Sequence, residues 1–358
     1  MKRGELRGKV QTVLGLISPE DLGITLPHEH CLIDILIWFE EPKASSEKFL
    51  AYQPVSLENL GWVRYHPTSN LDNLRLLDEE SAIKETLRYK YSGGNSLVDV
   101  TSIGLGRDPL GLARISRATG LNIIMGTGYY VKQAIPSGIR LTEEAMTEGM
   151  ARDILEGAGD TGIRAGIIGE LGMQWPTGDW EKMALRAAAI AQKQTGAPIN
   201  IHLGRSPDSP FEVIEVLSGA GADISRVVLS HIERTVFDHD RLVKLAKTGC
   251  YIEYDTFSIE GFGEPVRMVL SEDNPVKMDW PSDAQRINQI MALINEGFLN
   301  QILISSDMCR KHRLWSYGGP GYAHILENVV PLMRDKGMPE EHIHTLLVEN
   351  PKRMLQFV

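Results

Sequence analysis

Residues 226–257 carry the run Arg226-Val227-Val228-Leu229-Ser230-His231-Ile232, a helical stretch Asp238–Lys247, and a second run Gly249-Cys250-Tyr251-Ile252-Glu253-Tyr254-Asp255-Thr256-Phe257. The first run is apolar on successive positions instead of alternating, which marks a strand covered on both faces. Two such strands joined by a helix make a parallel pair, because parallel neighbours need a crossover. The same unit recurs on either side. The runs Gly23–Leu26, Ser96–Ile103, Asn122–Tyr129, Ala165–Leu171, Pro198–Leu203 and Gln301–Ser306 complete a set of eight. Helix-like segments Glu79–Tyr91, Pro109–Ala118, Thr142–Gly157, Asp179–Gln194, Pro210–Ala220, Ser282–Glu296 and the stretch from Tyr322 onward fill the intervals. Thr142 followed by Glu143 and Glu144 opens one helix, Thr195-Gly196 closes another, and Ser282-Asp283 opens a third after Pro281. Eight strand-helix units predict an α/β chain forming one (β/α)8 TIM barrel over residues 1–358. Residues 1–22 are then an N-terminal extension packing on the barrel, and long loops follow strand one (31–78), strand seven (258–281) and strand eight (308–321). A doubly wound open sheet is the second choice, weakened by the lack of a glycine-rich phosphate loop after the first strand.

Composition agrees with a folded domain. The 358 residues are 42% hydrophobic and 23% charged, with 37 Lys+Arg against 47 Asp+Glu for a net charge of −10. These fractions argue against disordered, collagen-like or coiled-coil chains. The acidic balance argues against nucleic acid or an anionic membrane surface as partner, since both demand a basic face. No apolar run reaches the ~18 residues of a membrane span, and Met1–Arg7 is not followed by a signal-like apolar stretch, so a cytoplasmic protein is expected. Cys31, Cys250 and Cys309 are odd in number and widely spaced, which suggests neither a disulfide framework nor a zinc knuckle.

Chemistry in such a barrel stands at the C-terminal ends of strands. Strand one runs into Pro27-His28-Glu29-His30, whose histidines at i and i+2 share one face of an extended chain. Strand four ends with Glu170, strand five with His202, strand six with His231 and strand eight with Asp307. Any one of these is ordinarily a hydrogen-bonded rim residue. Four histidines and two carboxylates at the same end of one barrel are instead ligands for two divalent ions, with positions left open for water. The other histidines lack that placement. His342 and His344 lie on a helical pattern where i and i+2 diverge by about 160°. His239 sits at a helix start and His66 in a loop, and His312 and His324 follow strand eight at the pocket mouth or the surface.

At these residues the chain resembles the phosphotriesterase family of metal-dependent hydrolases, which includes the phosphotriesterase-like lactonases and the phosphotriesterase homology proteins. The resemblance rests on Gly23-Ile24-Thr25-Leu26-Pro27-His28-Glu29-His30, Val98-Asp99-Val100-Thr101 with Gly106-Arg107-Asp108, and Gly126-Thr127-Gly128-Tyr129-Tyr130. It continues through Ile201-His202, Ser230-His231, Asp255, Asp307 and Asn350-Pro351. It implies a barrel and a binuclear centre, zinc first with Mn, Co or Fe as alternatives, and commonly a homodimer. It further implies that His28, His30 and Asp307 hold one ion and His202 and His231 the other. Many members bridge the ions with a carboxylated lysine on strand four; Ile168-Gly169-Glu170 looks like the branch that uses glutamate directly. An ungapped count puts the lysine position at Gly169, so Glu170 reaches it only through a bulge or shifted register.

The expected mechanism uses a metal-bridging hydroxide, with Asp307 relaying the proton; the absence of a G-x-S-x-G elbow agrees. The expected function is opening a lactone or related carboxylic ester, with organophosphate triester hydrolysis as the alternative and a non-catalytic small-molecule binder as the alternative of another class. Tyr130 matches the position where lactonase members place a tyrosine by the substrate, and Tyr129 takes its place if the register slips. Arg205 and the loop Arg310-Lys311-His312-Arg313 form a local basic group suited to a substrate anion. Trp38, Phe39, Trp62, Trp175, Phe262, Trp280 and Trp315 are loop aromatics available to wall a pocket, with Trp315 carried forward as a substrate contact. Thr256 stands where quorum-signal lactonases commonly carry arginine, which disfavours long-chain acyl-homoserine lactones.

Overall fold

The computed structural model describes residues 1–139, 141–259, 268–269, 275–276 and 280–358. Eight parallel strands form one sheet: β1 (Thr25–Glu29), β2 (Ser96–Asp99), β3 (Asn122–Thr127), β4 (Ile167–Gly172), β5 (Ile199–His202), β6 (Val227–Ser230), β7 (Tyr251–Tyr254) and β8 (Ile302–Ile304). They are paired in chain order from β1 to β8. Helices α1 (Glu79–Tyr91), α2 (Pro109–Thr119), α3 (Glu143–Leu155), α4 (Asp179–Thr195), α5 (Ser209–Gly219), α6 (His239–Ala246) and α7 (Asp283–Asn295) follow the first seven strands in turn. Asp78, Asp108, Thr142, Asp238 and Ser282 cap five of these helices through their side chains. Gly196, at φ +79°, ends α4 in the left-handed conformation that glycine adopts without steric cost.

The strands are apolar on both faces, and each face has its own partner. Val98, Ile124, Ile167, Val228, Tyr251 and Leu303 share the barrel interior with Val10, Leu22, Met354 and Leu355. Their strand neighbours Leu97, Ile123, Ile168, Leu229, Ile252 and Ile302 join the layer beneath the helices, with Ala184, Leu185 and Ala188 of α4. The N-terminal hairpin, Val10–Thr12 against Gly15–Ile17, closes the barrel floor, and the Val13 N–H donates to the Ile123 carbonyl at 2.8 Å.

Glu29 makes three of the hydrogen bonds across the seam between β1 and β8. The Glu29 carboxylate accepts from the Ser305 hydroxyl at 2.8 Å, the Ser306 N–H at 2.8 Å and the Met308 N–H at 2.9 Å. The Asp307 N–H also donates to the His28 carbonyl at 3.2 Å. Two local expectations are corrected. Strand one does not stop before Pro27 but continues through it, and the β1–β2 register shifts between Leu26 and Glu29, because proline brings no N–H to the ladder. The stretch from Tyr322 onward is not one helix: it breaks between Asp335 and Glu340, where Gly337 and Pro339 stand, and widens into π turns at Ile325–Val329 and Thr345–Glu349, just before Pro331 and Pro351.

The loop of residues 31–78 closes on itself through Ile33–Asp34 paired with Arg75–Leu76. Most of the loop after β7, Phe262 included, lies outside the described residues. The loop after β8 folds into the turns Lys311–Arg313 and Trp315–Tyr317. The loops after β1 and β8 reach over the C-terminal ends of the strands, with Ile33, Ile35, Trp38, Thr68, Cys309 and Arg310 beside His30, Glu170 and His202.

Candidate active site

The strand ends converge. Glu170 lies at the centre: its Oε2 is 2.8 Å from His202 Nδ1 and 3.7 Å from both His28 Nε2 and His231 Nε2, while its Oε1 is 3.6 Å from His30 Nε2. Asp307 Oδ1 completes the ring at 3.2 Å from His30 Nε2 and 3.9 Å from His28 Nε2. Glu170 belongs both to the group formed with His28 and His30 and to that formed with His202 and His231, and a further group joins His28, His231 and Asp307.

Local backbone explains how Glu170 gets there. Ile168 pairs with Ile199 but Leu171 with Ile201, so β4 spends one residue more than β5 over that interval. This is the register shift that the lysine-position count requires. The Gly169–Glu170 peptide is cis. The Glu170 N–H donates to the Val100 carbonyl at 2.9 Å, and its own carbonyl accepts from the Ser102 hydroxyl at 2.8 Å.

Each histidine has one nitrogen occupied by an outer partner and the other turned to the centre. His28 Nδ1 lies 3.2 Å from each of Glu253 Oε2, Asp255 Oδ2 and Ser230 Oγ. His30 Nδ1 lies 2.9 Å from Thr101 Oγ1, and His231 Nδ1 lies 2.7 Å from Asp255 Oδ1. His202 turns Nδ1 inward and leaves Nε2 3.2 Å from the Tyr130 hydroxyl. Such outer partners fix the tautomer and ring plane of a metal-ligating imidazole. The inward Nε2 of His28 is buried and makes no hydrogen bond. A buried orphan nitrogen facing two carboxylates is what a cation would satisfy, so the donor set fits divalent ions that accept imidazole and carboxylate.

Charge states agree. Burial opposes ionisation of Asp307, but its contact with His30 and the charges of His28, His30 and Arg313 outweigh burial and hold the carboxyl well below the usual range. Glu170 is likewise lowered against burial by His202, His28 and His30. Burial takes His202 down to about 4 and, together with Arg234, holds His231 well below its ordinary value, so both are neutral lone-pair donors. His28 is raised against burial by Asp255, Glu253 and Glu170, and His30 by Asp307 and Glu170, so these carboxylates draw positive charge to the centre.

Above the cluster is a cavity floored by His30, Glu170, His202 and Asp307 and walled by Ile33, Ile35, Trp38, Leu105 and Tyr130. Thr68, Cys309 and three arginines, Arg205, Arg234 and Arg310, complete it. Tyr130, Arg205 and Arg310 thus line one cavity with the cluster. The Trp38 ring meets Tyr130 edge to face with centroids 6.3 Å apart. Burial and the Glu170 charge push the Tyr130 phenol well above its ordinary value, so it stays protonated.

Three of the expected substrate contacts do not line this cavity. Tyr129 turns its hydroxyl toward α3, where it stands against Gly149. Lys311 pairs with Asp72 and lines a separate cavity beside Cys31 and Tyr322. Trp315 is half exposed and carries the Arg88 guanidinium 3.4 Å from its ring centroid. Among the other loop residues, Trp62 stacks on His66, and Phe39 packs near Tyr52. His312 and His324 line a neighbouring cavity, where His324 pairs with Asp283.

Sequence reading passed over Arg234, Glu253 and Glu29. Arg234 stands three residues beyond His231 on the catalytic rim, the same signal that singled out Arg205 after His202. Glu253 is a carboxylate inside an apolar strand, two residues before Asp255 and therefore on its face.

A family model described as the phosphotriesterase family matches residues 8–355. The N-acetyltaurine hydrolase of Xenopus tropicalis is 44% identical over 354 residues, covering 98% of this chain and 99% of that protein. Among solved structures, a resiniferatoxin-binding protein from Rhodobacter sphaeroides superposes with a TM-score of 0.91 at 34% identity, covering 98% of this chain and 96% of its own. A lactonase from Listeria monocytogenes superposes with a TM-score of 0.76 at 25% identity, covering 98% and 99%.

Proposed function

The chain belongs to the phosphotriesterase family and is a metal-dependent hydrolase; from that premise we propose that it cleaves the amide bond of a small N-acyl compound whose other end is anionic, N-acetyltaurine being the first substrate to assay. The observation that carries this reading is the pairing of the His/Glu/Asp cluster with three arginines in one cavity. Its support from outside the geometry is the name of the relatives that match over nearly the whole chain.

In this reading His28, His30 and Asp307 hold one divalent ion, His202 and His231 a second, and Glu170 serves both. Zinc is the first choice for an imidazole and carboxylate set. Ions bound there supply Lewis acidity, lowering the pKa of water and polarising a carbonyl oxygen. The protein's own groups do the rest. Asp307, ionised and next to the cluster, takes the proton of the attacking water and returns it to the amide nitrogen, so that a C–O bond forms as the C–N bond breaks. The second proton of the water also passes to the nitrogen, so the products are a carboxylate and an ammonium. Tyr130, protonated and beside His202, donates a hydrogen bond to the substrate oxygen side. Asp255 and Glu253 hold His231 and His28 in register.

The lactone reading is second, favoured by the likeness to the Listeria lactonase and by the apolar wall of Ile33, Ile35, Trp38 and Leu105 beside Tyr130. A neutral phosphotriester gives the arginines nothing to bind. Free Cys31, Cys250 and Cys309 suit a reducing cytoplasm, and a homodimer is the assembly that the family resemblance implies. The test loads the purified protein with zinc and follows N-acetyltaurine, a panel of lactones and an aryl phosphotriester side by side. Release of acetate and taurine with the highest kcat/KM supports the amide reading; higher kcat/KM on any lactone overturns it in favour of the second.

A further inference from the structure

Among the described residues, Arg234 is a buried cation without an acid. It is 8% exposed, and among the described residues no carboxylate forms an ion pair with it. Its Nε makes no hydrogen bond, its Nη2 lies 3.2 Å from His202 Nε2, and its Cζ stands 5.8 Å from the centroid of the Trp280 ring. A guanidinium taken out of water to this degree is costly unless an anion or a full set of acceptors compensates it. The carboxylates nearest the cavity floor, Glu170 and Asp307, are engaged by the histidines. Two divalent ions would bring four positive charges against Glu170, Asp307, Asp255 and Glu253, so the loaded centre would have no carboxylate to spare for Arg234. Among the described residues no carboxylate supplies that anion, which leaves the place beside Arg234 for one brought by a ligand.

Arg205, beyond β5, and Arg310, beyond β8, line the same cavity as Arg234. We infer that Arg234, assisted by Arg205 and Arg310, receives a compact oxyanion of the substrate, a sulfonate or carboxylate remote from the acyl group, and so decides which acyl compounds the centre cleaves. The inference deepens the proposed amide hydrolysis and rests on it for the identity of the substrate.

His202 makes Arg234 available. When His202 gives its Nδ1 lone pair to an ion, its Nε2 carries the ring hydrogen, and Arg234 Nη2 then faces a second donor. A bound ion would thus end the contact with His202 and leave the guanidinium's donors for the cavity. The neighbouring indole of Trp280 offers it a face on which to remain.

The probe is 1-propanesulfonate, which has the anion and no acyl group, titrated by calorimetry into the zinc-loaded protein. Replacing one charge-assisted pair should weaken its binding about 10- to 100-fold in Arg234→Gln, with zinc content unchanged. Arg234→Lys should recover part of the loss, since charge is kept and the planar fork is not. Methyl propyl sulfone, the uncharged analogue, should bind the unaltered protein as weakly as the sulfonate binds Arg234→Gln. Equal affinity of the unaltered protein for sulfonate and sulfone overturns the inference without recourse to any variant. If N-acetyltaurine is not hydrolysed while sulfonate binding still depends on Arg234, the amide reading fails and the anion site stands. If it is hydrolysed with a KM indifferent to Arg234→Gln, the amide reading stands and this inference falls.

Discussion

Asp307 combines a place among the histidine nitrogens with a carboxyl held ionised against its own burial. Its side chain keeps 13% exposure toward the cavity, so a proton accepted there can leave. Asp307→Asn keeps the shape and one coordinating oxygen but removes the base. We expect kcat to fall about 10²- to 10⁴-fold, the usual worth of a positioned acid-base group, with elemental analysis showing metal largely retained; undiminished turnover would remove Asp307 from this role. His312 gives a pH signature away from the chemistry. Burial, reinforced by Arg310, Arg313 and Arg64, holds it well below its ordinary value of 6.5. The unfolded chain therefore binds a proton that the folded one refuses as pH falls below 6.5, and stability declines over that range. In urea titrations across a pH series, His312→Asn should show a shallower acid limb than the unaltered protein; identical limbs would exclude His312 as a contributor. The six cluster residues were legible because each ends an apolar run, where strand periodicity dictates direction. Lys311 and Trp315 misled because they stand on loop turns, where nothing periodic says which way a side chain faces.

The element that most needs explanation is the β1–β8 seam. Seven strand pairs are parallel ladders, two of them with a register shift, whereas β1 and β8 are joined mainly through the Glu29 carboxylate and its three donors. Burial raises the Glu29 carboxyl, and the hydrogen bonds from Ser305, Met308 and Ser306 oppose that rise. Glu29→Gln places an amide nitrogen against at least one backbone N–H, leaving a buried donor unsatisfied at a cost of about 1–3 kcal/mol. Urea denaturation should show a lower midpoint with an unchanged slope; an unaltered midpoint would mean that the seam closes without the carboxylate. Because His28 and His30 flank Glu29 and Asp307 sits between its donors, the same substitution should also weaken metal retention. The order and kind of the eight units could be read from apolar runs and helix caps. The seam and the β4 bulge could not, since both depend on how two distant strands meet. Glu29 looked like a spacer between two ligands, and Pro27 looked like a strand end.

At the scale of the whole molecule the cluster is a stability question as much as a catalytic one. Its side chains come from β1, β4, β5, β6 and the end of β8, so an ion there ties together strands from all around the barrel. Without an ion the fold must pack Glu170, Asp307 and four imidazoles, four of these six side chains buried, against one another and leave His28 Nε2 without a hydrogen bond. An ion that binds the folded chain alone stabilises it by mass action, about 2.7 kcal/mol when free metal exceeds its dissociation constant 100-fold. The net charge of −10 favours cation uptake over long range as well. Chelation should therefore lower the thermal midpoint of the entire barrel as one transition, and equimolar zinc should restore it. The restoration should saturate at two ions per chain, because Glu170 serves both ligand groups and neither is complete without it. Restoration at one ion per chain would reduce the centre to a single site. An unchanged midpoint in protein shown by elemental analysis to be metal-free would separate the cluster from stability altogether.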